Sequence, residues 1–472
     1  MCESRLRGND SRGAMADLWK RGTGLGDERL DGRAALMLAQ VVATHSLVLN
    51  RLGGDRAGAV AAGRLLASAK VEPDSLLAPE IARTQAAVRG RRIVCAQDTT
   101  EINFSGRDKR RRGLGPGGDG VSKGFFMHPV LAIDAEAEAV LGIVAARIWT
   151  RENEPTPEHH GQAFEDKESA RWLQGAEWAA DRCAGAQSIV VVGDRESDIF
   201  EVFARKPAGI DLIVRAAQDR GLATDRAAGA KLFATLAGFD VLGSGLVREA
   251  PKGLGDKGRV ARVVIRSGRA MIAQPKRRRR NEADPHRVEL GFVEVCEVEA
   301  PDGVTPLLWR LATTLPVVTL AEACEIVRLY RLRWRIEETF RTLKKDGMQL
   351  EATQVQEAHA VMNLAALGLA AAVRIVQLVD ARDGSPRPAT DLIDATDIAN
   401  VERISGSREG ATLRQKNPWA KGSLAWLSWT VARLGGWNCY YKPPGPKTMA
   451  HGWNRLTAML DGMRLSDAGS DV

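Results

Sequence analysis

The chain has 472 residues, 44% hydrophobic, 27% charged and 5% aromatic, which supports a sizeable core and excludes wholesale disorder. Lys plus Arg outnumber Asp plus Glu by 67 to 59, so the formal charge is +8 and the pI near 9.3, a balance that favours a polyanionic partner such as nucleic acid. Six cysteines at 2, 95, 183, 296, 324 and 439 are too sparse for a disulfide scaffold and form no Cys-x-x-Cys pair, which predicts a reducing, cytoplasmic location.

The first fourteen residues lack the apolar centre of a signal peptide, and Met15 is an alternative start that would make 1–14 a non-native extension. Residues 16 to 90 predict helices: one opening at Gly26-Asp27, one over 55–70 and one over 78–89. Ile93 to Ala96 predict a buried strand that leads into Asp98. A basic, Gly-rich stretch follows, with Arg107, Lys109, Arg110, Arg111 and Arg112 ahead of Gly113 to Gly118. It spells Gly-x-Gly-x-x-Gly, but it follows a charge run rather than a strand, so it predicts a mobile loop and no dinucleotide site. Residues 125–133 and 139–148 predict an antiparallel strand pair, and 165–183 an amphipathic helix with Trp172, Leu173 and Trp178.

Ser188 to Gly193 predict a second buried strand, ending at Asp194, with a helix carrying Ile199, Phe200, Val202 and Phe203 behind it. From 210 to 315 the pattern is β, with Lys276 to Arg280 as a basic hairpin tip. A long helix is expected from 320 past Glu351, and another over 357–380. Residues 381–391 have a linker's composition, and the remainder reads as helical and rich in Trp. No run of 18 apolar residues lacks a charge, so no membrane span is expected.

Asp98 and Asp194 each follow an apolar strand, and strand C-terminal ends are where α/β sheets gather ligand groups. Two such carboxylates could share a hard divalent cation; each alone also fits a turn or helix-cap residue. Drawn as one helix, Tyr330, Arg333, Trp334, Glu337, Arg341 and Lys344 fall in a stripe about 100° wide, with Leu332, Ile336, Phe340 and Leu343 opposite. A carboxylate among cations and rings suits phosphate handling, with Arg and Lys holding oxygens and Glu holding metal. The seven histidines are dispersed and none is assigned to a metal; His159-His160 reads as loop surface.

Gln97-Asp98-Thr99-Thr100, Gly193-Asp194-Arg195-Glu196-Ser197-Asp198 and the spacing Tyr330-x₂-Arg333-x₃-Glu337-x₆-Lys344 together resemble the bacterial DDE transposases of the transposon-five type. The last is similar to that group's Tyr-Arg-Glu-Lys signature, and the resemblance spans roughly residues 22–465. It implies an α/β fold: an RNase H-like catalytic domain over 86–375, interrupted by a β-rich insertion at about 210–315. It further implies an N-terminal helical domain over 1–85 that binds the DNA end, and a C-terminal helical domain over 376–472 that dimerises. Asp98, Asp194 and Glu337 would be the catalytic, metal-binding acids, with Mg²⁺, or Mn²⁺ in its place, as two ions. Arg215, Trp309, Tyr330, Arg333, Trp334, Arg341 and Lys344 would bind DNA, Trp309 by accepting a flipped base.

The implied reaction is cut-and-paste transposition by a homodimer in a synaptic complex with double-stranded DNA, namely the inverted-repeat ends and the target. A metal-dependent nuclease without strand transfer, an inactive DNA-binding regulator and a basic hydrolase of small phosphoesters are the rivals. Pre-cut end DNA separates the first, substitution of the acids the second, and a steep salt dependence of binding the third.

Overall fold

The computed structural model describes residues 25–104, 111–152, 162–223, 230–249, 258–275, 281, 283–346 and 348–470. Arg107, Lys109, Arg110, His159, His160, Lys276 to Arg280 and both candidate starts lie outside the described residues. In chain order the helices are α1 (Glu28–Thr44), α2 (Leu49–Gly53), α3 (Arg56–Leu66), α4 (Pro73–Ala87), α5 (Arg171–Arg182), α6 (Phe200–Ala204) and α7 (Leu232–Ala237). They continue with α8 (Leu320–Arg331), α9 (Trp334–Arg341), α10 (Ala358–Ala381), α11 (Ile398–Arg408), α12 (Leu424–Leu434) and α13 (Pro446–Ser470). The strands are β1 (Arg92–Gln97), β2 (Thr100–Asn103), β3 (Gly115–Pro116), β4 (Lys123–Asp134), β5 (Ala139–Trp149) and β6 (Ser188–Gly193). After them come β7 (Asp211–Arg215), β8 (Val241–Glu249), β9 (Arg259–Ala273), β10 (Arg287–Glu297) and β11 (Leu308–Thr313). Two compact units result: Met1–Ala87 with Thr99–Glu154 and Arg335–Val472, and Val88–Asp98 with Pro155–Trp334.

In the first unit α1 starts as its sequence predicts, because the Asp27 carboxylate accepts the amides of Arg29 at 3.0 Å and Leu30 at 3.4 Å. Its inner face buries Ala34, Leu38, Val41 and Val42. The centre of the unit is α10, which is apolar on nearly every side. By length and composition it is long and apolar enough to cross a membrane, but it carries Arg374 and 94% of its most apolar window is buried inside the protein. Its guanidinium at Arg374 lies 2.8 Å from buried Glu80, the pairing that makes a charge tolerable in a core. Trp453 of α13 donates its Nε1–H to the Val42 carbonyl at 2.9 Å, tying the last helix to α1.

The expected hairpin of β4 and β5 is present, with β2 and β3 paired antiparallel to β4. Gly115 and Pro116 therefore belong to the sheet, where composition suggested a mobile loop; backbone pairing to Gly124 and Lys123 holds them. The segment 381–391, a linker by composition, joins α10 to the helices that follow and is packed rather than loose. Arg387 is buried and donates to Asp391 Oδ2 at 2.7 Å and to the Val140 carbonyl at 2.9 Å, while the Ala389 amide donates to Gly422 O at 2.7 Å.

His45 caps α1 in a left-handed conformation (φ 45°), with its ring edge-on to Trp453 and Nε2 3.2 Å from Ala371 O. Burial, with Arg374 nearby, pushes its pKa down from 6.5 to about 3. The folded state keeps this imidazole neutral while the unfolded chain takes up a proton. Stability is therefore full above pH 6.5 and falls as the pH drops towards 3, by up to about 1.4 kcal/mol per pH unit. His45→Asn suits the left-handed backbone and removes the titration. Urea titrations between pH 6.5 and 4 should show a flatter stability profile for the variant than for the wild type; parallel profiles would exclude His45 as the source.

In the second unit β1, β6 and β7 run parallel, and β11, β10, β9 and β8 continue the sheet antiparallel. β1 and β6 are nearly continuous apolar runs, as strands covered on both faces must be. Trp172 of α5 is fully buried, and its carbonyl accepts Gln97 Nε2 at 3.2 Å, directly before Asp98. The region from 210 to 315 is β-rich as expected, with the short α7 inside it.

The single long helix expected from 320 is not formed. α8 ends at Arg331, and Leu332 and Arg333 make a turn with bonds from Leu332 N to Leu329 O at 3.2 Å and from Arg333 N to Tyr330 O at 3.1 Å. α9 then runs to Arg341, a π-helical turn covers Thr342–Asp346, and a 3₁₀ turn covers Leu350–Ala352. No Pro or Gly marks the break. At the turn the Arg333 guanidinium is engaged by Asp98, 235 residues away in sequence.

Candidate active site

Asp98 and Asp194 leave the C-terminal ends of neighbouring parallel strands. β1 and β6 are in register with Ala96 opposite Val192, so the two acids emerge two residues on at one level. Adjacent strands lie about 4.8 Å apart, close enough for two carboxylates to reach one cation. The next strand continues the row: Gly193 pairs with Val214, which brings Arg215 to the level of Asp194. Asp194 also serves as a cap, as its alternative reading allowed, since Oδ1 accepts the Glu196 amide at 2.8 Å.

Arg333 Nη1 lies 2.5 Å from Asp98 Oδ2, in a pair whose side chains are 11% and 15% exposed. Its guanidinium carbon is 5.8 Å from the Trp334 ring centre, and Trp334 itself is 58% exposed. Tyr330 is buried rather than wet. Burial raises the pKa of its hydroxyl, Arg333 and Arg215 pull it down, and Asp194 adds a smaller upward push. The Tyr330 hydroxyl thus senses the charges of Arg333, Arg215 and Asp194. Arg215 Nη2 donates to the Leu308 carbonyl at 3.2 Å, which fastens the row to the strand bearing half-buried Trp309. Trp309 stands opposite Val295 in the β10–β11 ladder.

Glu337, Arg341 and Lys344 belong to the first unit. Glu337 is half-buried on α9 and Arg341 is exposed at its end. Lys344 sits in the π-helical turn 4.0 Å from Glu351, and burial lowers its pKa while Glu351 and Glu101 oppose that shift. The stripe expected from Tyr330 to Lys344 is corrected, because two helices and a π turn replace one regular spiral. π turns are frequent at functional positions.

Among the described residues no three His, Cys, Asp or Glu side chains come close enough to hold a metal ion. The donor chemistry at Asp98 and Asp194 nonetheless fits a divalent cation: two hard carboxylate oxygens at one level, one of which already faces a cationic guanidinium. Sequence reasoning gave no role to Asp198, although the motif that carries Asp194 contains it; the structure buries it in a dense set of hydrogen bonds. Residues 91–374, more than half of the chain, match the family model described as transposase DDE domain.

Proposed function

The chain belongs to the transposase DDE-domain family, and on that premise we propose that it is a cut-and-paste DNA transposase of the transposon-five type. The family implies phosphoryl-transfer chemistry on DNA and the general use of divalent metal ions. The observation that carries the proposal is the row of Asp98, Asp194 and Arg215 across three parallel strand ends, with Arg333 on Asp98, inside the matched region.

In this proposal Asp98, Asp194 and Glu337 would hold two Mg²⁺ ions, or Mn²⁺ in their place. When bound, such ions activate an attacking oxygen and stabilise the leaving one. Tyr330, Arg333, Arg341 and Lys344 grip phosphates at the transposon end, Arg215 contacts the distorted end, and Trp334 supports it by stacking. Water first cleaves one strand, leaving a 3′-hydroxyl. That hydroxyl attacks the opposite strand, displaces its flanking 3′-oxygen and closes a hairpin. A flipped base stacks on Trp309, which offsets an unstacking cost of a few kcal/mol. Water reopens the hairpin, and the 3′-hydroxyl then attacks target DNA.

The RNase H-like domain spans 86–375 in this scheme, with the β-rich insertion at about 210–315. Residues 1–85 read the end and 376–472 dimerise the chain in the cytoplasm. The DNA flanking the gene tests the class, through short inverted repeats bounded by a direct duplication. A pre-cut oligonucleotide carrying that end, incubated with protein, Mg²⁺ and a target plasmid, should yield branched strand-transfer product. Cleavage without joined product would replace the transposase with a nuclease.

A further inference from the structure

Asp198 follows Asp194 by four residues and is 2% exposed. Its Oδ2 accepts the backbone amides of Ala217 and Gln218, each at 2.8 Å. Its Oδ1 accepts Arg220 Nη2 at 2.5 Å and Nε at 3.2 Å. The Asp198 carbonyl accepts Gln218 Nε2 at 2.8 Å and also Arg220 Nη2. Arg220 is itself buried, at 9% exposure. Both carboxylate oxygens are thus engaged by donors, unlike those of an acid that must hold a ligand.

The placement of these bonds gives them a purpose. The β6–β7 ladder ends with Gly193 opposite Val214. Asp194 and Arg215 lie just beyond it, where no bond of that ladder sets their separation. Past them the chain leaves β6 through the turn Arg195–Ser197, which ends at Asp198, and leaves β7 through Ala216 to Arg220. Ser197 Oγ donates to Asp194 O at 2.7 Å within that turn. Asp198 therefore fastens the segment leaving β7 to the turn leaving β6. A buried ion pair contributes little net stability but fixes geometry when every donor and acceptor is met.

We propose that Asp198 and Arg220 form a clamp that sets the position of Asp194 against Arg215, which makes Asp198 a positioning residue for strand cleavage rather than a metal ligand. This rests on the roles given above to Asp194 and Arg215. The isosteric Asp198→Asn puts an amide donor among donors and loosens the clamp. Hydrogen exchange on the full-length protein should speed up at residues 195–198 and 216–220, and the melting temperature should fall because the buried Arg220 loses its counter-charge, while the folded fraction keeps its affinity for end DNA. Cleavage of end DNA should fall about 100-fold in kcat with KM unchanged, the loss expected of a misplacement near 1 Å. Arg220→Lys, which keeps the charge but not the fork, should lose about tenfold.

Wild-type kcat in a folded Asp198→Asn, or a loss that merely follows the folded fraction, overturns the clamp. If Asp198→Asn does not fold, Arg220→Gln decides by the same measures, since it leaves both amide bonds to Asp198 in place. Asp194→Asn is the parallel arm. Activity surviving in that variant overturns the transposase site itself, and the hydrogen-exchange pattern then decides for or against the clamp by itself.

Discussion

On the proposed function, Asp194→Asn should lower strand cleavage and strand transfer at a transposon end by about 1,000-fold or more, with the fold intact. The magnitude follows from the several kcal/mol of transition-state charge stabilisation that a metal-binding carboxylate supports, at 1.36 kcal/mol per tenfold. The intact fold follows from the structure. Asp194 caps the turn Arg195–Ser197 through one oxygen, and Asn caps as well as Asp, so the Glu196 amide keeps its acceptor. Charge is lost while local geometry is kept. Asp98→Asn and Glu337→Gln should match it in activity, whereas an exposed acid such as Asp302, changed to Asn, should leave activity unaltered. Gel assays of nicked, hairpin and joined products would be read beside thermal melting. Full activity in either Asp variant, in the presence of Mg²⁺, would remove the strand-end acids from the reaction.

Why the strand ends could be anticipated is plain. Ile93 to Ala96 and Ile189 to Val192 are short apolar runs between polar residues, and a strand buried on both faces writes itself that way. The cap at Asp27 is similarly local, an Asp placed just ahead of a helical pattern. The break at Leu332–Arg333 is hidden for the opposite reason. Every residue from 320 to 344 tolerates a helix, and Asp98, which engages Arg333 at the break, lies just past the end of β1, far away in sequence. Composition misleads at Gly115-Pro116, because a Gly- or Pro-rich stretch is mobile only if nothing satisfies its backbone and its charges. Asp198 is visible as a letter of a motif, but its role depends on amides that follow β7, which no spacing rule connects to it.

Arg333→Ala separates the two demands placed on Asp98. In the protein as described, a guanidinium lies 2.5 Å from Asp98 Oδ2, so a divalent cation approaching that oxygen competes with a charge already there. Removing the guanidinium should strengthen cation binding while weakening the grip on DNA phosphate. A charge-assisted hydrogen bond of this kind contributes about 1.5–3 kcal/mol, so the Mn²⁺ concentration needed for half of the thermal-shift response should fall about tenfold or more. Cleavage of end DNA should fall about 100-fold at the same time, because the phosphate contact proposed for Arg333 and the alignment it would enforce are lost together. Arg333→Lys should lie between, since a point charge can neutralise Asp98 but cannot fork between carboxylate and phosphate. The two changes have opposite signs, so general damage to the fold cannot mimic them. An Arg333→Ala protein that melts normally yet responds to Mn²⁺ no more readily than the wild type would mean that the pair with Asp98 does not govern access of a metal to this carboxylate.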